Sequence, residues 1–140
     1  MLTDHRQEVQ RFAEALMTLV RDRAIEACDR LASGRMVGPD GERWSSLLAA
    51  AEAREAVVTL IPDVVDQTLF NLLNAIDNDE LALSWRQSNG SFVSLNELCL
   101  EESAGWLMGS PGWRHQYSSQ RFFDPLADLR LGIEPDLTEE

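Results

Sequence analysis

The chain has 140 residues, of which 44% are hydrophobic and 26% charged, and its net charge is −12. This is the composition of a soluble globular protein that is long enough to bury a core of its own. All twelve basic residues are arginine, which excludes Schiff-base chemistry on a lysine and a lysine-bearing phosphate loop.

No apolar run reaches the roughly 18 residues needed to cross a bilayer, and the start has neither the basic nor the apolar region of a secretory signal. The sequence therefore predicts no membrane association. It also predicts a cytoplasmic location, in which Cys28 and Cys99 stay reduced.

The acidic residues are concentrated in the middle of the chain. Residues 62–104 contain eight acidic residues against Arg86 alone, a net charge of −7, whereas residues 105–121 contain two arginines and no acid. Binding to a nucleic-acid backbone requires clustered positive charge, so no nucleic-acid partner is predicted. A basic protein, in contrast, would be steered toward residues 62–104, which we call the acidic block.

The first predicted element is a helix from Asp4 to Ala32. A helix of this length is about 42 Å long, whereas a compact domain of this size is about 37 Å across. We therefore expect a kink, or a second copy of the chain that covers part of the apolar stripe, and we favour a homodimer. The stripe residues recur at spacings of three and four: Val9, Phe12, Ala13, Leu16, Val20, Ala24, Ala27 and Leu31.

Two more helices are predicted in the first half of the chain. Glycine and proline in Ser33–Arg43 indicate a loop, and a helix Trp44–Ile61 follows it. Pro62 disfavours a helical residue before it, so we expect a new helix, Pro62–Asp77. Asn78 is the candidate for the left-handed residue that closes this helix.

A β-hairpin is predicted around Asn89-Gly90, with strands Leu81–Gln87 and Ser91–Asn96. A two-residue turn would pair Trp85 with Ser94 and divide the apolar residues between two faces. A three-residue loop with a left-handed Gly90 pairs Trp85 with Val93 instead, so we predict this loop. The single apolar face that it makes consists of Leu81, Leu83, Trp85, Val93 and Leu95.

The rest of the chain is predicted to form short helical turns. Leu98–Leu100 either extends the sheet or precedes a short helix, Glu101–Met108, and both Ser110-Pro111 and Asp124-Pro125 are typical of helix starts. The fold class is α+β, with about three antiparallel N-terminal helices packed with a small antiparallel β-hairpin. Residues 1–131 are expected to form one globular domain, and residues 132–140 an acidic flexible tail.

The turn before the hairpin carries Asp77, Asp79 and Glu80. A calcium loop is excluded because its sixth and twelfth positions would be Ala82 and Ser88 instead of a glycine and a carboxylate. This acidic corner is either a solvated turn or part of a surface that binds a basic partner.

Catalytic and metal chemistry finds little support in the sequence. His5 and His115 are the only histidines, and His115 with Glu101 or Glu102 would make only a partial metal site. A nucleophilic pair of Cys99 and His115 would require a proximity that the sequence does not show. No cofactor and no metal are predicted, and an enzymatic role is disfavoured.

One segment, residues 105–121, combines aromatic residues with arginine and lacks acids. Such residues are enriched in protein interfaces and would also suit a small anionic ligand. Alternatively, the tryptophans fill the core beside the hairpin and the arginines pair with the acidic block. The residues concerned are Trp106, Trp113, Arg114, His115, Tyr117 and Arg121.

Two functions from different classes are compatible with these patterns. The first is a non-enzymatic protein-binding module for a basic partner, similar in size and acidity to immunity proteins, antitoxins and secretion chaperones. The second is a small-molecule-binding or hydrolytic domain that uses an aromatic and arginine cleft around Trp106–Arg121. The lack of catalytic motifs favours the first.

Overall fold

The computed structural model describes residues 2–125 and has the predicted α+β fold, with N-terminal helices followed by a hairpin and short helices. The predicted tail, 132–140, and the helix predicted after Asp124-Pro125 lie outside the described residues. Helix α1 is continuous but has three segments, Leu2–Ala15, the π-helical Leu16–Arg21 and Asp22–Ala32. The others are α2 (Pro39–Leu47), α3 (Ala51–Asp77), β1 (Ser84–Arg86), β2 (Phe92–Ser94), α4 (Leu95–Leu98), α5 (Ser103–Met108) and α6 (Trp113–Tyr117).

The π-helical turn changes which face of α1 is buried. Here the Asp22 N–H bonds to the carbonyl of Met17, five residues earlier instead of four. The predicted stripe is correct as far as Leu16 and wrong beyond it, because the extra residue moves the buried face one position along the chain. Arg21, Ile25 and Ala32 are buried in place of Val20, Ala24 and Leu31.

The homodimer through α1 stays a prediction. Leu19 and Val20, 51% and 46% exposed, lie on the outer face of the π-helical turn. They are the apolar residues that a second copy would cover if it packed against this part of α1.

The predicted helix boundaries around Pro62 are wrong. Helix α2 already begins at Pro39, within the predicted loop, and α3 continues through Pro62 without ending at Ile61. Pro62 has no N–H, so the carbonyl of Val58 lacks its helical partner. Arg121 Nη2 donates to this carbonyl at 2.8 Å. A side chain from the far end of the described chain therefore replaces the hydrogen bond that the proline removes.

Helix α3 is long enough and apolar enough, by length and composition, to cross a bilayer. The predicted break at Pro62 divides this stretch into two shorter helices. A core helix of a soluble protein passes the same test, and α3 here packs against α1 and α5. The absence of a membrane span stays a prediction.

The hairpin has the predicted register. Trp85 pairs with Val93, and Gly90 takes a left-handed φ of 89° in the loop. The strands are shorter than predicted, because Leu95 begins α4. Leu81 and Leu83 are 40% and 42% exposed, so they do not contribute to a buried face.

Two apolar clusters form the core. The larger one joins the first half of α1, the second half of α3 and the short helices, with Phe12 edge-on to Trp85 and Trp113 at 5.4 and 5.9 Å. The smaller one joins the last segment of α1 to α2 and the first half of α3 through Ile25, Leu48 and Ile61. Each long helix therefore contributes to both clusters.

Glu8 fastens the hairpin to α1. Its carboxylate accepts hydrogen bonds from Trp85 Nε1 at 2.9 Å, from Arg11 Nη1 at 2.5 Å, and from both the backbone N–H and the hydroxyl of Ser88. The bonds from the Ser88 hydroxyl and then from its N–H lower the pKa of Glu8 from 4.5 to about 2, although burial acts in the opposite direction. The folded state thus stabilises the ionised form of Glu8.

We expect Glu8→Gln to lower the free energy of unfolding at pH 7 by about 2 kcal/mol, because hydrogen bonds to a charged acceptor are lost. The pKa of Glu8 is lowered on folding, so its contribution is complete above pH 4.5 and disappears as the pH falls toward about 2. Urea unfolding across this range should show the wild type and the variant converging. Glu14→Gln, an exposed residue of the same helix, is the control; a constant difference at all pH values would contradict the role of Glu8.

Candidate functional site

Asp77 lies beneath the surface, at the end of α3. Its carboxylate accepts hydrogen bonds from the Ser103 N–H at 3.1 Å, the Ser103 hydroxyl at 2.5 Å and the Ala104 N–H at 2.8 Å. These N–H groups open α5 and have no partner within that helix. Asp77 therefore caps α5 and holds it against α3, which removes it from the acidic corner as an exposed group.

Asp79 and Glu80 are exposed, as an interaction surface requires. The left-handed residue that follows α3 is Asp79, with φ 59°, and not the predicted Asn78, whose φ is −87°. Within the described residues, neither Asp79 nor Glu80 has a side-chain hydrogen bond or ion pair. These two carboxylates thus remain available to another molecule.

The aromatic segment does not form one cleft. Trp113 is 5% exposed and belongs to the core, whereas Trp106 and Tyr117 are half-buried and pack against it. Trp106 lies 6.0 Å from Trp113, centroid to centroid. Trp113 in the core and Trp106 at the surface are therefore neighbours. Of the two, only Trp106 exposes part of its ring to solvent.

Arg114 points into the protein and forms an ion-pair network with Asp66 and Arg21. Arg21 Nε and Nη2 donate to the two oxygens of Asp66 at 2.6 and 3.1 Å, and Arg114 Nη1 donates to Oδ2 at 2.9 Å. All three residues are less than 5% exposed. The Arg114 guanidinium lies 4.6 Å from the centre of the Phe122 ring, and its Nε has no hydrogen-bond partner among the described residues.

Residues 118–121 form further hydrogen bonds with Arg21 and with its neighbour Asp22. Ser118 and Ser119 donate to the carboxylate of Asp22 at 2.6 to 3.0 Å, and Arg21 donates to the Ser118 hydroxyl and to the carbonyl of Arg121. The Arg121 side chain is bound to Asp29 at 2.8 and 2.9 Å. Arg114 and Arg121 are thus both engaged in internal ion pairs, and neither faces the aromatic residues near Trp106.

We expect Asp66→Asn to lower the free energy of unfolding by about 3–5 kcal/mol, because two buried guanidinium groups lose their counter-charge. Asp63→Asn, an exposed residue on the same helix, should change it by less than about 0.5 kcal/mol. Urea unfolding of both variants measures the difference. A loss of less than about 1 kcal/mol for Asp66→Asn, typical of an exposed ion pair, would contradict a central role for the network.

His115 and Cys99 do not form a nucleophilic pair. The Nδ1 of His115 accepts the Gly112 N–H at 3.0 Å, so Nε2 carries the proton and faces Asp124 Oδ2 at 3.0 Å. Cys99 is buried, and burial, with a smaller effect of Asp77, raises the pKa of its thiol to about 12. The thiol stays protonated at neutral pH and is a poor nucleophile. No metal-binding group of three His, Cys, Asp or Glu side chains occurs in residues 2–125.

A groove of about 420 Å³ runs between α3 and α5 and meets both regions singled out in the sequence. We call it the α3–α5 groove. One wall is formed by Phe70 and Asn74 of α3, and the other by Trp106 of α5. Glu101, Glu102 and Asn78 also line it. It therefore combines aromatic walls with two carboxylates.

The turn that carries these carboxylates has an unusual backbone. Leu100 and Glu101 are both left-handed, with φ of 53° and 61°. This conformation costs about 1–2 kcal/mol in a residue other than glycine. Hydrogen bonds from the N–H groups of Glu101 and Glu102 to the carbonyls of Asn96 and Cys99 hold the turn in place. Both glutamate side chains are exposed and make no hydrogen bond or ion pair to other residues of the described part.

A second, smaller groove of about 270 Å³ lies between α1 and α6. We call it the α1–α6 groove. Trp106, Trp113 and Tyr117 line it together with Arg6 and Gln116. The arginine that faces the aromatic residues is therefore Arg6, from the other end of the chain, and not Arg114 or Arg121.

Sequence reasoning missed Phe70, Asn74 and Gly105 as residues of the α3–α5 groove. Phe70, an aromatic residue on the predicted helix Pro62–Asp77, is one available signal. The adjacent pair Glu101-Glu102, next to an aromatic segment without acids, was a second signal. Neither shows which helices face each other, because that depends on the cap that Asp77 forms.

Comparison of the chain with protein-family models, with curated proteins and with solved structures finds no match.

Proposed function

We propose that the chain is a non-enzymatic protein-binding module that engages a basic partner through the α3–α5 groove. The observation that carries this proposal is the position of Glu101 and Glu102. Two carboxylates without internal partners line a groove whose walls include Phe70 and Trp106. Aromatic walls beside free negative charge suit a cationic side chain, which they contact through both its apolar stem and its head.

The distribution of charge around the groove supports the same proposal. Of the eight acidic residues in 62–104, Asp66 and Asp77 are buried and hydrogen-bonded within the protein. The other six are exposed and have no side-chain hydrogen bond or ion pair to described residues: Asp63, Asp79, Glu80, Glu97, Glu101 and Glu102. The net negative charge of this block is therefore largely available to steer a basic protein toward the groove.

The strained turn at Leu100 and Glu101 is a further argument for a binding role. Left-handed residues other than glycine cluster at ligand-binding sites, where the surrounding structure holds them in place. Here the turn carries the two glutamates that line the groove. A cytoplasmic location, and the likeness to immunity proteins, antitoxins or chaperones, remain parts of this proposal that rest on composition alone.

The double variant Glu101→Gln/Glu102→Gln should weaken binding of a peptide with equal numbers of arginine and lysine residues by about tenfold, because two interacting charges are removed. Isothermal titration calorimetry at low and at physiological salt measures the affinity. The matched control is Glu52→Gln/Glu55→Gln, which removes the same charge from the exposed start of α3.

An equal loss of affinity in the two double variants would contradict the proposal, since the attraction would then come from net charge and not from the groove. The absence of any saturable binding to the wild type would contradict it as well.

The α1–α6 groove favours a second candidate, a site for a small anionic ligand with an apolar ring. Arg6 is exposed and has no ion pair to a described residue, and it lies with Trp106 and Tyr117 in one groove. This support is weaker, because the groove is smaller and has one charged group.

A thermal-shift screen of aromatic carboxylates and phosphates tests this candidate. A true ligand should raise the melting temperature of the wild type and of Arg86→Ala, an exposed arginine of β1, but not of Arg6→Ala. A screen without any stabilising compound, or a shift that survives in Arg6→Ala, would count against the site.

A further inference from the structure

We infer that the α3–α5 groove receives an arginine side chain of the partner, laid across Gly105. This inference rests on the proposed function and specifies the chemistry of the partner residue. The folded chain does not itself require a glycine at position 105.

Gly105 is the third residue of α5, and neither its backbone nor its packing requires a glycine. Its φ is not left-handed, and a Cβ built on it would meet no atom within 4 Å. Gly41 and Gly112 differ, because a Cβ there would come within 2.1 Å of Met36 O and 2.6 Å of Gly109 O. A glycine within a helix destabilises it relative to alanine. Close approach of another molecule to the helix backbone would account for this residue.

The surroundings of Gly105 define the shape that would fit there. It lies in the groove between Phe70 and Trp106, and Glu101 and Glu102 precede it by four and three positions. Glu101 and Glu102 belong to the turn that precedes α5, and they line the same groove as Gly105. A long side chain that crosses Gly105 would therefore contact the aromatic walls with its stem and bring its head to the carboxylates.

The partner residue is an arginine and not a lysine because of the chemistry of the walls. A guanidinium is planar, is weakly hydrated, stacks on aromatic rings and can donate to two carboxylates at once. The amide oxygens of Asn74 and Asn78, which also line the groove, can accept its remaining N–H groups. Charge complementarity is provided by the two glutamates, whose carboxylates have no partner among the described residues.

The protein contains the same arrangement in its own interior. Arg114 lies 4.6 Å from the centre of the Phe122 ring while it donates to Asp66 at 2.9 Å. One arginine is thus held by an aromatic ring and a carboxylate together. The α3–α5 groove presents the same two kinds of group, aromatic rings and carboxylates.

Three acetylated peptides of equal length, with two arginines, two lysines or two citrullines in a glycine-serine context, test the inference. NMR titration follows the Gly105 amide and the Trp106 indole signals. The arginine peptide should shift both signals saturably, with an affinity at least about fivefold higher than that of the lysine peptide. Citrulline keeps the shape but not the charge of arginine, so its peptide should not bind. Equal affinities for the arginine and lysine peptides would overturn the choice of arginine.

Substitutions of Gly105 separate binding from folding. Gly105→Ala should raise the melting temperature by about 2–6 °C, yet it should weaken binding of the arginine peptide at least threefold. Gly105→Leu should abolish binding without lowering the melting temperature, because the side chain points into open space. Ala56→Leu, on an exposed part of α3 outside the groove, is the matched control and should leave binding unchanged.

The results distinguish this inference from the proposed function. If Gly105→Ala and Gly105→Leu bind the arginine peptide as the wild type does, the inference is wrong. The proposed function would still stand if Glu101→Gln/Glu102→Gln weakened binding in the same titration. If neither the Gly105 variants nor the glutamate variant changed the affinity, both would be wrong.

Discussion

The ion-pair network of Arg21, Asp66 and Arg114 is the constraint on which the rest of the structure depends. It lies between the two apolar clusters, since Arg21 comes between Met17 and Ile25 on α1. Charges can be buried only if their partners are placed correctly. Apolar side chains tolerate small displacements, whereas this network requires α1, α3 and α6 to meet at defined hydrogen-bonding distances. It therefore sets the relative positions of these helices more strictly than apolar packing does.

The groove follows from this arrangement. Helix α5 is held at its start by the Asp77 carboxylate and is followed by α6, whose Arg114 is fixed to Asp66. Both attachments use acidic residues of α3. The acidic block thus has two roles, which its net charge alone does not distinguish. Asp66 and Asp77 hold the short helices against α3, and the remaining carboxylates face solvent.

The fold class and the hairpin register were predictable because they depend on local patterns. A one-residue slip would have separated Trp85 from Val93, so the apolar alternation was sufficient. The burial of Arg21 was not predictable, because hydrophobic periodicity favours the valine next to it. Distant partners reverse that preference: Asp66, 45 residues away, and the acceptors of Ser118 and Arg121.

The continuation of α3 through Pro62 depends in the same way on a distant residue. Arg121, 63 residues after Val58, supplies the donor that the proline lacks. For the candidate site, the glutamates and Trp106 were recognisable as neighbours in the sequence. The facing wall was not, since Phe70 joins it only through helix packing.

The hydrogen bonds between residues 118–121 and α1 also bear on how the chain is synthesised. Ser118 and the carbonyl of Arg121 lie 97 and 100 positions after Arg21 in the chain. On the ribosome, the two long helices therefore emerge well before the groups that complete the hydrogen bonding of Arg21 and Asp22. Until those groups leave the exit tunnel, Asp22 and the Nη1 group of Arg21 keep water as their partner, although Asp66 has already emerged. Final dehydration of the helix interface is thus tied to the synthesis of residues 118–121, and an earlier pause in elongation would prolong a loosely packed state.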